Sequence, residues 1–273
     1  MEPEHIEKNK AMWDERVPIH VDSELYATQA FIDGQLSVKR DEIEELGEVA
    51  GKTLLHLQCH FGQDTLSWAR LGARVTGLDF SPAAVMAARK LAEAIGVEDA
   101  RFVESEVYTA PTALGGERFD VVYTGGGAIN WLNDINRWAR VVSDCLAPGG
   151  TFYMREFHPV LSAFDDDPEV TTLRPRWTYF HDEPLVWDEP GTYADANAET
   201  THNLSYEWNH GLGEVVTALI GAGLVLEFVH EFPYISYDCF PFMVRGDDAM
   251  YRFPGELDGV IPLMYTIRAH APD

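Results

Sequence analysis

Cations and cysteines are scarce in this chain. Only 20 lysines and arginines stand against 45 aspartates and glutamates in 273 residues, a formal net charge of -25. A surface of that sign repels a phosphate backbone, so DNA and RNA are disfavoured as substrates. The three cysteines, Cys59, Cys145 and Cys239, stand far apart and suggest neither a disulfide framework nor a paired Cys-x-x-Cys metal site, which fits a reducing compartment. No window approaches the roughly 20 uninterrupted apolar residues of a membrane span, and the opening MEPEHIEKNK has no apolar signal region. The expectation is a cytoplasmic, soluble protein, monomeric or homodimeric, with no membrane partner. Internal repeats and low-complexity tracts are also missing. A last scarcity is local: within LLHLQCHFGQDTLSWARLGA (residues 54–73), only Gly62 survives of the G-x-G-x-G row found in nucleotide-binding turns.

Apolar residues are plentiful, at 46%, and they fall into an alternation of strands and helices after a helical, polar stretch at residues 4–47. Residues 53–57 read as a buried strand, 64–71 as a helix and 73–80 as the next strand. Ser81 offers an N-cap with Pro82 at the first helical position, and that helix stops at Gly96. Strands over 100–105, 119–125 and 151–157, with a helix over 135–146, complete five parallel strands with right-handed crossovers, a doubly wound sheet. A helix over 213–223 and strands over 224–232 and 260–270 close the domain. Residues 1–50 read as a helical cap, 51–273 as the sheet domain, and 158–209 as an aromatic-rich insertion over the sheet's carboxyl edge. Alternation in RWTYFHD and HNLSYEWNH predicts hairpin strands there.

Ligands of open α/β sheets lie beyond the strands' carboxyl ends, where strand order reverses beside the first strand. The loop His56–Gln63 occupies that place, with backbone N–H groups and a positive helix end to offer. Asp79 ends the second strand about twenty residues on, where a carboxylate can accept both hydroxyls of a ribose. Asp79 could also cap the helix at Pro82, a role Ser81 fills better. A pyrophosphate would collide with the Gln58 and His60 side chains, which disfavours dinucleotides. His56, Cys59 and His60 diverge from a strand that ends in a turn, so no metal site is expected.

In these features the chain resembles the class I S-adenosylmethionine-dependent methyltransferases over residues 50–157. His56-Leu57-Gln58-Cys59-His60-Phe61-Gly62 is similar to the family's first motif, matching at Cys59 and Gly62 and departing at His56, Gln58 and His60. The LQCHFGQD variant resembles that of a bacterial branch of the family. Asp79, followed by Phe80, resembles the ribose-binding acid. FVESEVY resembles the third motif, with Glu106 at the adenine-contacting acid and Val107 beside the ring. FDVVYTGGGAINWL resembles the fourth, with the Thr124 and Gly125 carbonyls facing the methionine amine, and LAPGG (146–150) is close to the family's LxPGG turn. The resemblance implies a Rossmann-like sheet of seven strands, mostly parallel with a C-terminal antiparallel strand, and S-adenosylmethionine as cofactor. It also implies that the acid replaced by His56 must pass its role elsewhere. Glu106 could equally be a solvated turn residue, and Gly125–Gly127 a tight turn.

Methyl transfer needs alignment of the acceptor more than acid or base help, and a base only where the acceptor carries a proton that must leave. His158, directly after the fifth strand, is the first candidate base because imidazole titrates near neutrality. Tyr123, Glu156, His181 and His202 follow. Trp13, Tyr26, Trp131, Trp177 and Tyr179 are candidates for the acceptor pocket, although Trp131 and Trp138, seven apart, read first as core residues on one helical face. The aromatic cluster could equally be a hydrophobic seal between insertion and core. The expected function is methylation of a small molecule at O or N. The rivals are a non-catalytic binding module with a lost cofactor site, and a use of S-adenosylmethionine other than methyl transfer.

Overall fold

The computed structural model describes residues 3–181 and 183–273. Three helices come first: α1 (Pro3–Asp22), α2 (Thr28–Ile32) and α3 (Arg40–Leu46). Then β1 (Thr53–Leu57), α4 (Gln63–Arg70), β2 (Arg74–Asp79), α5 (Pro82–Ala94), β3 (Arg101–Glu104), α6 (Ala110–Ala113), β4 (Phe119–Thr124), α7 (Ile135–Cys145) and β5 (Leu146–Phe157) alternate. The insertion contributes β6 (Leu185–Asp188) and β7 (Leu204–Glu207). After α8 (Leu212–Gly221) and β8 (Val225–Phe232) come the two-residue strands β9 (Val244–Arg245) and β10 (Tyr251–Arg252), and β11 (Met264–His270) ends the chain. No helix among the described residues is long and apolar enough to cross a membrane.

Seven strands form one sheet in the order β3-β2-β1-β4-β5-β11-β8, parallel throughout except where β11 runs against both neighbours. Both faces are covered. Leu55 and Leu57 of β1 pack with Leu78, Val122 and Phe152 on one face, and Leu54 packs with Val75, Val121 and Tyr123 on the other. Such two-sided burial explains why these strands read as apolar runs with only a faint alternation. The order reverses between β1 and β4, so the loops after those strands part and leave a crevice. The cap of α5 is as expected, with Ser81 Oγ accepting from the Ala84 N–H.

Three local readings are corrected. RWTYFHD forms no strand up to His181, and Asp182 lies outside the described residues; the partner of β7 is β6, which pairs Leu185 with Glu207. Trp131 and Trp138 do not share a helix. Trp131 sits in the 3-10 turn Ile129–Trp131, and fully buried Trp138 belongs to α7. The last strand begins at Met264, not at residue 260, because Pro262 cannot donate to the ladder.

Candidate active site

The loop after β1 keeps the shape that glycines would give it without the glycines. Gln58 (φ 58°) and His60 (φ 50°) adopt the left-handed conformation, as does Gly62 (φ 81°). Holding a side chain there costs about 1–2 kcal/mol per residue, so the surroundings must compensate. Gln58 Nε2 donates to the Ala128 carbonyl across the crevice at 2.8 Å, and the His60 N–H donates to Asp79 Oδ2 at 2.8 Å. Gly62 itself is required, because a Cβ there would stand 2.8 Å from the Phe102 ring and 2.9 Å from Ala88 Cβ. Cys59 turns its sulfur into the core, 2.8 Å from where a Cβ on Gly77 would lie, and burial raises its thiol far above the ordinary range.

Asp79 accepts from the Ser81 N–H through Oδ1 (2.9 Å) and from His60 through Oδ2. Each oxygen retains a second lone pair. Burial pushes its carboxyl up to about 6, against the pull of the Ser81 and His60 N–H groups. A cavity of about 530 Å³ opens beside it, lined by Asp79 of β2 and Phe80 after it, Glu106 and Val107 after β3, and Tyr123 of β4 with Gly125 after it. That volume lies in the range of small-molecule sites. His56, Gln58, Cys59, His60 and Gly62 form its floor, and Trp13, Tyr26 and Trp131 its roof.

Glu156 positions the loop after β4. Its Oε1 accepts from the N–H groups of Gly127 and Phe157, and Oε2 from those of Ala128 and Ile129. Four backbone donors occupy the carboxylate, so Glu156 is a loop anchor, not a free base. Tyr123 lines the cavity, but its hydroxyl donates to Glu42 Oε1 at 2.6 Å, and burial raises its ionisation well above the ordinary value. His56 replaces an acid with a neutral ring: Nδ1 lies 2.8 Å from Thr65 Oγ1, and burial pushes its pKa down to about 4.

Several expected residues are not brought to the cavity. His158 does not line it; the imidazole caps the 3-10 turn Pro159–Ala163 by accepting from the Val160 N–H, with Nε2 3.0 Å from Glu231. The reason is the residue before β11, Leu263, whose carbonyl takes the His158 N–H and turns the chain off the sheet's edge. Trp177 lies half exposed beneath the Arg176 guanidinium, and the Tyr179 hydroxyl accepts from the Leu212 N–H, both away from the walls. Thr124 is buried below, paired between Leu57 and Met154. His181 and His202 are also absent from the walls. Residues with no earlier reading do line the cavity, Glu42, Asp64, Arg155 and Glu207, beside Tyr193 from the aromatic-rich insertion. Asp64 alone had a signal, standing in the GQD that opens α4.

The roof is an aromatic and histidine cluster. Trp13 meets His60, Trp131 and Tyr193 at ring distances of 5.1, 5.2 and 6.5 Å, and the Tyr26 and Tyr193 hydroxyls lie 2.5 Å apart. His20 Nδ1 lies 3.0 Å from His60 Nε2, and burial lowers both imidazoles, His20 to about 4. Glu207, from β7, accepts from Asn130 Nδ2 at 3.0 Å, and burial raises its carboxyl. No group of three or more His, Cys, Asp or Glu among the described residues could hold a metal ion.

Residues 55–152 match the family model described as a methyltransferase domain. The chain is 29% identical over 225 residues to a ubiquinone biosynthesis O-methyltransferase of Methylobacterium sp. (strain 4-46), covering 77% of this chain and 88% of that protein. Among solved structures, an S-adenosylmethionine-dependent methyltransferase from Mesorhizobium loti superposes with a TM-score of 0.59 at 22% identity, over 88% of this chain and 99% of that one. A glycopeptide N-methyltransferase, MtfA, complexed with S-adenosylmethionine, gives a TM-score of 0.53 at 19% identity, over 85% of this chain and 92% of that one. These structural likenesses establish the fold.

Proposed function

We propose that this chain is a class I S-adenosylmethionine-dependent methyltransferase and that it methylates a hydroxyl group on a small aromatic molecule. The carrying observation is a single cavity running from the Asp79 carboxylate to the aromatic roof, so cofactor and acceptor share one space. In this reading Asp79 holds the ribose hydroxyls and Val107 packs on the base, which their shared place on the cavity wall supports. The open cavity favours a catalytic protein over a binding module with an occluded cleft. When bound, S-adenosylmethionine supplies an already activated methyl group. The chain then has to align the acceptor, exclude water and take a proton.

Trp13, Trp131 and Tyr193 offer ring faces and edges to a planar acceptor. Glu207 replaces His158 as the base of choice. It lines the cavity, Asn130 orients it, and its raised carboxyl sits nearer neutrality, where proton abstraction is most effective. The acidic surface supports a small-molecule acceptor over a nucleic acid. The named activity of the Methylobacterium relative supports attack by oxygen.

Calorimetry with S-adenosylhomocysteine tests the cofactor half, and no binding at high micromolar concentration would sink it. Mass spectrometry after incubation with S-adenosylmethionine and a panel of mono- and dihydroxybenzoates tests the acceptor half. The expected product is heavier by one methyl group on oxygen, and Glu207→Gln should suppress it without loss of cofactor binding. Methylation confined to amines, or consumption of cofactor without methylation, would overturn the acceptor class.

A further inference from the structure

We propose that Tyr237 is a catalytic residue of this site: its hydroxyl donates a hydrogen bond to the acceptor's attacking oxygen while Glu207 takes that oxygen's proton. The inference rests on the O-methylation reading above and names the residue that holds the oxygen.

Tyr237 lies in the connection between β8 and β9, and the chain is fixed just before it. Fully buried Ile235 exchanges two backbone hydrogen bonds with Tyr251, at 2.8 and 3.0 Å. The Tyr237 ring then meets Phe157, the last residue of β5, edge to face at a centroid distance of 5.0 Å. Asp79 ends β2, three strands away in the sheet, or roughly 14 Å at the usual strand spacing. A nucleoside held at Asp79 leaves the β5 side of the cavity to the acceptor, and Tyr237 is a wall of that side.

Its hydroxyl is uncommitted. Among the described residues it has no hydrogen-bond partner. Three other side-chain donors of the cavity are already engaged: Trp131 Nε1 with the Gly127 carbonyl at 2.9 Å, Gln58 Nε2 with the Ala128 carbonyl at 2.8 Å, and Asn130 Nδ2 with Glu207 at 3.0 Å. Burial, and after it the charges of Cys239, Glu156, Glu207 and Tyr193, hold the phenol well above its ordinary ionisation. It therefore remains a donor where Glu207 is a carboxylate.

Glu207 is its complement. Asn130 donates to Oε2, which leaves Oε1. An acceptor hydroxyl has one proton to give and lone pairs to offer, so it can donate to Glu207 and accept from Tyr237 at once. As the proton passes to Glu207, the oxygen's electron pair closes on the methyl carbon, and the electrons of the broken carbon–sulfur bond stay on sulfur. Tyr237 keeps its own proton throughout. A preformed donor stabilises the charge that develops on the oxygen as its proton leaves. An acceptor that is already ionised gains nothing in rate from the same bond.

The test compares 4-hydroxybenzoate with 4-hydroxy-3-nitrobenzoate, whose phenol is far more acidic and whose phenolate is coloured. Tyr237→Phe should lower kcat/KM for 4-hydroxybenzoate by about 10- to 100-fold, the size of a hydrogen bond to a charged oxygen. The nitro compound should change by less than about threefold. A second readout needs no turnover: with S-adenosylhomocysteine present, the absorbance titration of bound 4-hydroxy-3-nitrobenzoate should show its ionisation constant about tenfold smaller in the variant. Affinity for S-adenosylhomocysteine and the melting temperature should stay as in the wild type, because the hydroxyl bonds nothing in the protein. Equal losses with both acceptors, or an unchanged ionisation constant, overturn the assignment. A wild-type protein that neither binds nor methylates either phenol removes the acceptor class proposed above and this inference with it, whereas wild-type methylation that Tyr237→Phe leaves intact removes only the inference.

Discussion

The floor of the cavity is built from consecutive strand ends, while its roof is assembled from segments as far apart as Glu15 and His202, 187 positions along the chain. In the floor, Asp79, Gln58 and Glu156 bond to backbone groups of neighbouring loops within the sheet's edge. In the roof, α1 grips the insertion through side chains. Asn9 exchanges two hydrogen bonds with the Tyr206 backbone, Glu15 accepts from Thr201 and His202, and His20 reaches Thr192. The floor bonds of Gln58, Asp79 and Glu156 are partly or fully buried, whereas the Glu15 bonds are exposed. Opening free energy falls with exposure of the bonds that must break, so the Glu15 contacts are expected to break before the buried His20–Thr192 bond.

Acid titration should strain both halves most. His56 in the floor and His20 in the roof are each pushed by burial from 6.5 down to about 4. A depressed histidine contributes stability that is full above pH 6.5 and lost as pH falls towards 4, about 3 kcal/mol per ring and enough together to rival the whole stability of a domain. Asp79, raised from 3.8 to about 6, runs the other way. Its contribution is full below 3.8 and lost as pH rises through 6, so it offsets part of the acid loss. Thermal melts between pH 4 and 7 should therefore show a steep fall below pH 6, blunted separately by His56→Gln and His20→Gln. A flat profile would show that both rings protonate without cost.

Cofactor affinity separates the halves more sharply. Asp79→Ala should weaken S-adenosylhomocysteine by about 100-fold, because it removes a charged acceptor and leaves the His60 N–H unpaired. Trp13→Ala in the roof should change that affinity by less than about threefold, and equal losses would erase the distinction. Glu156→Gln should lower stability by about 1–3 kcal/mol in denaturant melts, since an amide cannot accept from all four backbone donors. The smallest effect concerns the loop after β1. Gln58→Ala should be less stable than Gln58→Gly by about 1 kcal/mol, because alanine keeps the left-handed strain and both lose the bond to Ala128. The reverse order would mean that the side chain, not the backbone shape, matters there.

Floor residues were legible for a simple reason. A strand's end is a local event, so Asp79 could be placed at the sheet's carboxyl edge from apolar runs and turn residues, while Glu106 and Gly125 were marked by the motifs the chain resembles. His158 met the same criterion and still left the cavity, because the direction of chain after β5 depends on a bond to Leu263, more than a hundred residues later. Trp177 and Tyr179 were read from alternation, yet they face Arg176 and Leu212. Glu207 carried no local mark; only the pairing of β7 with β6 and the Asn130 bond bring it over the cavity. Gln58 and His60 read as departures from a glycine motif in a working variant, and their positive φ angles keep the left-handed shape of the turn.

The sequence by itself determined the strand and helix alternation, the parallel sheet and the place of the cofactor loop, since each follows from periodicity and turn chemistry acting over a few residues. Tertiary structure alone decided which polar atoms meet: Gln58 with Ala128, Glu207 with Asn130, α1 with the insertion. Those meetings depend on strand order and on the register of distant segments, and neither leaves a trace in local pattern.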